Sequence, residues 1–282
     1  MKKLIINADD FGISEGISKG IIDAANFGTV LSTSLMSNMP YAEQAIALAE
    51  DCSQLGIGIH LNITCGFPLS KRDLVKSLVG QNGQFKEMKS FLRDYALGLI
   101  SLVEIKREYS LQIKKTLDWG IEVTHLDSHH HIHFLPGINR IVCELAKEYH
   151  VSWIRGSQHG VQSYFKPTLI FNFPEFLKLF VLKRFDQKNR TQYANQFCHV
   201  DQLSGLLASK KGKFFEYFDN SLKRLNGEIV EFVSHPGYVD QELMSQDPWT
   251  EMREEELKVL TSKQATDTAK KYGFEFSNFR SF

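Results

Sequence analysis

Apolar positions along this chain change period repeatedly, from the alternation of strands to the three-to-four spacing of helices. Strands are predicted at Lys3–Ala8, Thr29–Met36, Leu55–Ile63, Ile121–Leu126, Val151–Arg155, Glu228–Ser234 and Phe274–Phe276. Amphipathic helices are predicted between them. Ser14–Phe27 has Ser14 as its N-cap, and in Leu102–Trp119 the residues Ile105, Tyr109, Ile113 and Leu117 recur near helical spacing. In Gly137–Tyr149 a stripe of Ile138, Ile141, Val142, Leu145 and Tyr149 follows the turn opened by Pro136. Repeated strand-then-helix order predicts a parallel sheet with helices outside it.

Such units can close into a barrel or form an open doubly wound sheet. The stretch Leu55–Ile63 separates the two. Leu55, Ile57, Ile59, Leu61 and Ile63 point one way, and Gly56, Gly58, His60 and Asn62 the other. A strand covered by helices on both faces is apolar on both. A small, polar face fits the inside of a barrel near an active site. The expected fold is therefore α/β, an irregular TIM-like (β/α) barrel of about seven strands in a single domain spanning residues 1–282. The region from about Gly156 to Asn220 fits the alternation poorly and is rich in Phe, Tyr and Lys; it reads as an elaborated insertion, a cover for substrate.

Composition narrows the partners. Lys plus Arg and Asp plus Glu both number 33, so the net charge is zero, which disfavours nucleic acid or an anionic membrane as principal partner. No run reaches the length of a membrane span, and the apolar start is broken by Asn7, Asp9 and Asp10 before it could act as a signal peptide. Cys52, Cys65, Cys143 and Cys198 are widely spaced, as expected of free thiols in a reducing compartment. A cytoplasmic location is expected.

The chemistry gathers at predicted strand ends. Five histidines, His125, His129, His130, His131 and His133, fall within nine residues together with Asp127. Imidazole is a common metal ligand and proton shuttle, and an interior run of this kind is no terminal tag. Extended geometry would aim His125, Asp127 and His129 to one side, although only two or three of the histidines can reach one ion. Asp9 and Asp10 close the first strand, where adjacent carboxylates are costly unless a cation or a proton neutralises them. One could bind a metal while the other takes a proton from water. His60 lies on the polar face of its strand, and His235 follows another strand at the turn made by Pro236 and Gly237. Taken singly, each is as readily a turn or a satisfied interior residue. Their convergence on strand ends points to a catalytic centre.

Four motifs in this order resemble the YdjC-like carbohydrate deacetylase family: Asn7–Gly12, Gly58–His60, Thr124–His131 and Ser234–Gly237, with the later Arg253–Leu257 helix start. The resemblance implies an irregular barrel and hydrolysis of an acetyl group from an N-acetylated sugar, such as a chitooligosaccharide or a related glycolipid. It implies Asp10, His60 and His129 as metal ligands, Asp9 as general base and His235 as general acid. His125 and Asp127 would orient a ligand or the substrate, and Trp153 or Tyr238 could stack on a sugar ring. The family's ion is usually taken as magnesium, and many members as homodimers. Two imidazoles and one carboxylate suit zinc better than magnesium, which prefers oxygen, so zinc is the alternative. Two rival readings stay open: a metal-dependent hydrolase of a phosphoester or non-sugar amide, and a sugar-binding protein without turnover.

Overall fold

A computed structural model describes residues 1–161, 173–193, 196–207, 209–247, 250 and 252–282, with backbone alone for 173–179 and 191–193. The first strand, β1 (Lys2–Phe11), is followed by α1 (Glu15–Phe27). Ser14 caps this helix as predicted, its Oγ accepting from the Ile17 amide at 3.3 Å. Gly28, at φ 90°, ends it in the left-handed conformation that favours glycine. Next come β2 (Ser32–Leu35), α2 (Ala42–Ala49) and β3 (Gly56–Leu61). The helices α3 (Met88–Ala96) and α4 (Leu102–Asp118) lead to β4 (His125–Ser128), a 3₁₀ segment over His129–Phe134, α5 (Pro136–Glu148) and β5 (Trp153–Ser157). After α6 (Phe173–Tyr193) come β6 (Cys198–Val200), β7 (Gln202–Ser204), α7 (Phe214–Leu222) and β8 (Ile229–Ser234). The chain finishes with α8 (Gln241–Gln246), α9 (Arg253–Leu260), α10 (Lys263–Lys271) and β9 (Phe274–Phe276).

Eight strands, all paired in parallel, lie in the order β6-β5-β4-β3-β2-β1-β8-β7. Only Asp201 separates β6 from β7. The first pairs with β5 and the second with β8, so one stretch of chain spans the seam and nearly closes the barrel. The Asp201 amide donates to Ile229 O at 2.8 Å, and the His159 amide to Asp201 O at 2.8 Å, tying both sides of that seam. The expected (β/α) barrel is thus the observed one, with the last stave broken in two. That stave and α7 fall inside the stretch predicted as an insertion. The two strands, of three residues each, are too short to display a period. Residues 162–172 of that stretch lie outside the described residues.

The β3 alternation is realised. Ile59 and Leu61 pack outward beneath α4 and α5, and Gly58 points inward over the His125 ring. A Cβ on Gly58 would lie 2.3 Å from that ring, so only glycine fits there. At the N-terminal ends of the strands, β9 pairs with the start of β1 and the chain then turns beneath the barrel. Asn278 Nδ2 donates to Gln54 O at 2.8 Å, and Phe279 packs its ring 4.2 Å from that of His125 and 5.4 Å from that of Trp153. This aromatic floor closes the barrel opposite the strand ends that carry the acids. Among the described residues no helix is long and apolar enough to cross a membrane.

Candidate active site

The C-terminal ends of β1, β3, β4 and β8 bring together Asp9, Asp10, His60, His129 and His235 around one pocket. The strands fix the first three, and the 3₁₀ turn after β4 swings His129 in from outside the strand. Its Nδ1 lies 2.9 Å from Asp10 Oδ1, and His60 Nε2 lies 3.3 Å from the same oxygen. One ligand atom from each of Asp10, His60 and His129 falls within 4.8 Å of the others, the spacing of a three-ligand metal site. His60 Nδ1 is 2.7 Å from Asp127 Oδ1, a contact that directs Nε2 toward the cluster. Asp127 therefore orients a candidate ligand from below.

Asp9 is held differently. Arg155 donates to its two oxygens at 2.7 Å each, and Asn7 Nδ2 donates to Oδ1 at 2.8 Å. The same guanidinium reaches Asp127 Oδ2 at 2.7 Å and donates through Nε to Glu231 at 2.8 Å. Arg253 donates to Asp10 Oδ2 and to Asp247, at 2.7 Å and 2.8 Å. Asp10 thus has one oxygen fixed by a guanidinium and the other turned to the imidazoles.

Burial by itself would raise the carboxyls of Asp9 and Asp10, but Arg155 and Arg253 override it and hold both well below the ordinary carboxylate range. At His60 burial works against the proton, yet Asp127 and Asp9 prevail and push it up to about 10. Burial raises Glu231 to about 7, against the pull of Arg155, and Glu256 to about 8. The paired Asp9, Asp10, Asp127 and Asp247 face only two guanidiniums. With Glu231 also on Arg155, carboxylates outnumber guanidiniums here, and a divalent cation would offset that excess of negative charge. A proton drawn to His60 answers the same deficit, so the donor set and its field both fit a divalent ion.

Among the described residues, three of the four non-glycine residues with positive φ lie here: Asp10 at 69°, His130 at 56° and His131 at 57°. Each left-handed residue costs on the order of 1–2 kcal/mol. The strain lets the chain fold back after His129, so that His130 and His131 also line the pocket. His133 turns away: its Nδ1 lies 2.7 Å from Ser128 Oγ in the interior. His125 and Trp153, expected near ligand or substrate, sit on the aromatic floor at the far end of the barrel. They begin their strands where the acids end theirs. Tyr238 is 45% exposed, donates to Asp23 on α1 at 2.7 Å, and is not among the described residues lining the pocket. A stacking role for Trp153 or Tyr238 has no support in these positions.

Sequence reasoning passed over Arg155, Arg253, Glu231, Asp247 and Glu256 as members of the site. The available signal was the charge of Arg155 at a predicted strand end and of Arg253 at a helix start. The other wall of the pocket, from Gly205, Leu206, Leu207, Phe214 and Tyr217, comes from the region read as an insertion.

Fold and site together define a class: parallel (β/α) barrels with a carboxylate and imidazole cluster at the C-terminal strand ends. A family profile described as YdjC-like protein matches residues 3–271, and the chain belongs to that family. A protein named carbohydrate deacetylase from Clostridium beijerinckii is 32% identical over 278 residues, covering 99% of both chains. Another of that name, from Geobacillus stearothermophilus, is 34% identical over 278 residues, covering 99% of this chain and 97% of its own. A crystal structure from Enterococcus faecalis V583, given the working description of a cellobiose-phosphate cleavage protein, superposes with a TM-score of 0.82 at 26% identity, covering 99% of this chain and 98% of that one.

Proposed function

We propose that the protein is a divalent-metal-dependent carbohydrate deacetylase that hydrolyses the acetamide of an N-acetylated sugar to acetate and a free amine. The observation that carries this reading is the division of labour between adjacent aspartates: Asp10 faces two imidazoles, while Asp9 is clamped by Arg155 beside them. The names of the full-length relatives support the substrate class.

Asp10, His60 and His129 would hold the ion, which when bound polarises the acetyl carbonyl and eases deprotonation of water. Asp127 fixes the ring of His60 so that Nε2 faces the cluster. Asp9 accepts the proton of the attacking water, its carboxylate aimed by Arg155 and Asn7. Burial pushes His235 down to about 4, so it starts neutral. The proton that Asp9 takes from the water passes through His235 to the departing amine, which returns Asp9 to its carboxylate and lets the amine leave neutral. Leu206, Leu207 and Phe214 supply an apolar wall that keeps bulk water from the reacting carbon.

The donor set favours zinc or a similar borderline ion over magnesium. The phosphoester reading gains nothing from the two buried arginines. Both are committed to carboxylates, Arg155 to Asp9, Asp127 and Glu231 and Arg253 to Asp10 and Asp247. The test is acetate release from N-acetylated sugars with the metal varied. Asp9→Asn is expected to keep the ion and lose about 10²-fold or more in turnover, whereas His60→Ala loses the ion as well. An Asp9→Asn protein with wild-type turnover removes the proposed base.

A further inference from the structure

His130 occupies a position that neither metal binding nor core packing explains. It and His131 are consecutive left-handed residues, at φ 56° and ψ 16° and at φ 57° and ψ 30°. A glycine would adopt this backbone more easily, so the imidazole is held there at a backbone cost. His129, His131, Ile132 and His133 around it are buried, whereas His130 is exposed and lines the pocket beside the metal cluster. The ring is not loose. Thr64 Oγ1 lies 3.0 Å from its Nδ1, and its face lies against His129 with centroids 4.0 Å apart.

Thr64 is itself fixed. Its amide donates to Asn62 Oδ1 at 3.0 Å, and Asn62 Nδ2 donates to Asn38 at 3.0 Å and to Cys65 O at 2.7 Å. Gln112 on α4 brackets Asn62 from behind, accepting from its amide at 2.9 Å and donating to its carbonyl at 2.6 Å. Through Thr64, a well-bonded loop after β3 therefore orients the His130 imidazole at the pocket rim. This is the arrangement of a residue built to meet a polar group on a ligand.

We propose that His130 is a substrate-contacting residue, hydrogen-bonding a hydroxyl or acetamido group of the sugar and so setting affinity and sugar preference. The inference rests on the deacetylase reading and deepens it. It assigns His130 to binding, distinct from the ion held by His129 and from proton transfer by Asp9 and His235.

The experiment compares wild type, His130→Ala and His130→Gly in steady-state acetate release from N,N′-diacetylchitobiose, with zinc affinity by calorimetry and thermal melting. Loss of one ligand hydrogen bond is expected to raise KM about fivefold in both variants, with kcat and zinc affinity within about twofold. His130→Gly is expected to melt no lower than wild type, because glycine relieves the left-handed backbone. An unchanged KM overturns the proposal. So does a change confined to zinc affinity, which makes His130 a support for His129, or one confined to kcat. Wild type that releases no acetate defeats the deacetylase reading instead. The contact is then read from disaccharide binding to Asp9→Asn protein with and without His130→Ala, where equal affinities overturn it.

Discussion

Three buried carboxylates share the guanidinium of Arg155, so this side chain is where the charge of the barrel interior is most exposed to perturbation. Replacing it with methionine keeps the volume but strands Asp9, Asp127 and Glu231. The expected loss is about 3–5 kcal/mol, as for other broken buried ion pairs, read by urea unfolding. A loss under about 1 kcal/mol would show that the network is not what holds the interior. Lysine is not expected to substitute, because a point charge cannot bridge three acceptors in one plane. Residue by residue, the sequence disclosed the acids and imidazoles better than their counterions. Asp9, Asp10, His60 and His129 stand out because each breaks an apolar pattern at a strand end. Arg155 and Arg253 show only a charge at a strand end and at a helix start, and their partners Asp9 and Asp10 lie 146 and 243 positions away. A single sequence carries no mark of such pairings.

At the scale of elements, β3 shows how tightly a strand can be specified by what faces it. Gly58→Ala would drive a methyl into the His125 ring, and a cost of about 1–3 kcal/mol is expected from overpacking. Shrinking the opposing ring with His125→Ala should recover part of that loss. A double-mutant cycle by thermal unfolding checks it, and strict additivity would mean that the two sites do not meet. This strand was legible because its alternation runs the full length between turns. By contrast, β4 begins at His125 and not at Ile121, because the chain leaving Gly120 first pairs through a single bond from the Thr124 amide to Ile57 O, at 2.9 Å. His129 accordingly arrives on a turn and not in strand register with His125. The halves of the broken stave, β6 and β7, were invisible for a different reason. Three residues are too few to display a period, and their identity as strands comes from the neighbours they bridge.

For the whole molecule, buried titratable groups set opposing pH dependences. Burial lowers His125 and His235 to about 4 and His133 to about 3, from an ordinary 6.5. Between pH 6.5 and about 4 the unfolded chain takes up protons that the folded protein refuses, so these groups lose stability on acidification. Glu231 and Glu256 act in the other direction. From 4.5 up to about 7 and about 8 the folded state retains protons that the unfolded chain has released, and their contribution falls as pH rises. His60, raised to about 10, adds to that decline above 6.5. The metal-free protein is therefore expected to be most stable near pH 6.5, as read from thermal melts in a chelator. A saturating divalent ion, which needs His60 neutral, should flatten the alkaline side, and melts that keep improving well above pH 8 without metal would contradict the assignment. The placement of β1 has a consequence for biogenesis. It lies between β2 on one side and β8 on the other, with β9 against its start. Its first neighbour is made early and the other two only after residue 228. A nascent chain consequently carries an unpaired edge for most of its synthesis, with Asp10 waiting for an arginine translated 243 positions later. Chains interrupted before β8 are left with that edge bare, which makes truncation products of this barrel natural clients for chaperones and proteases.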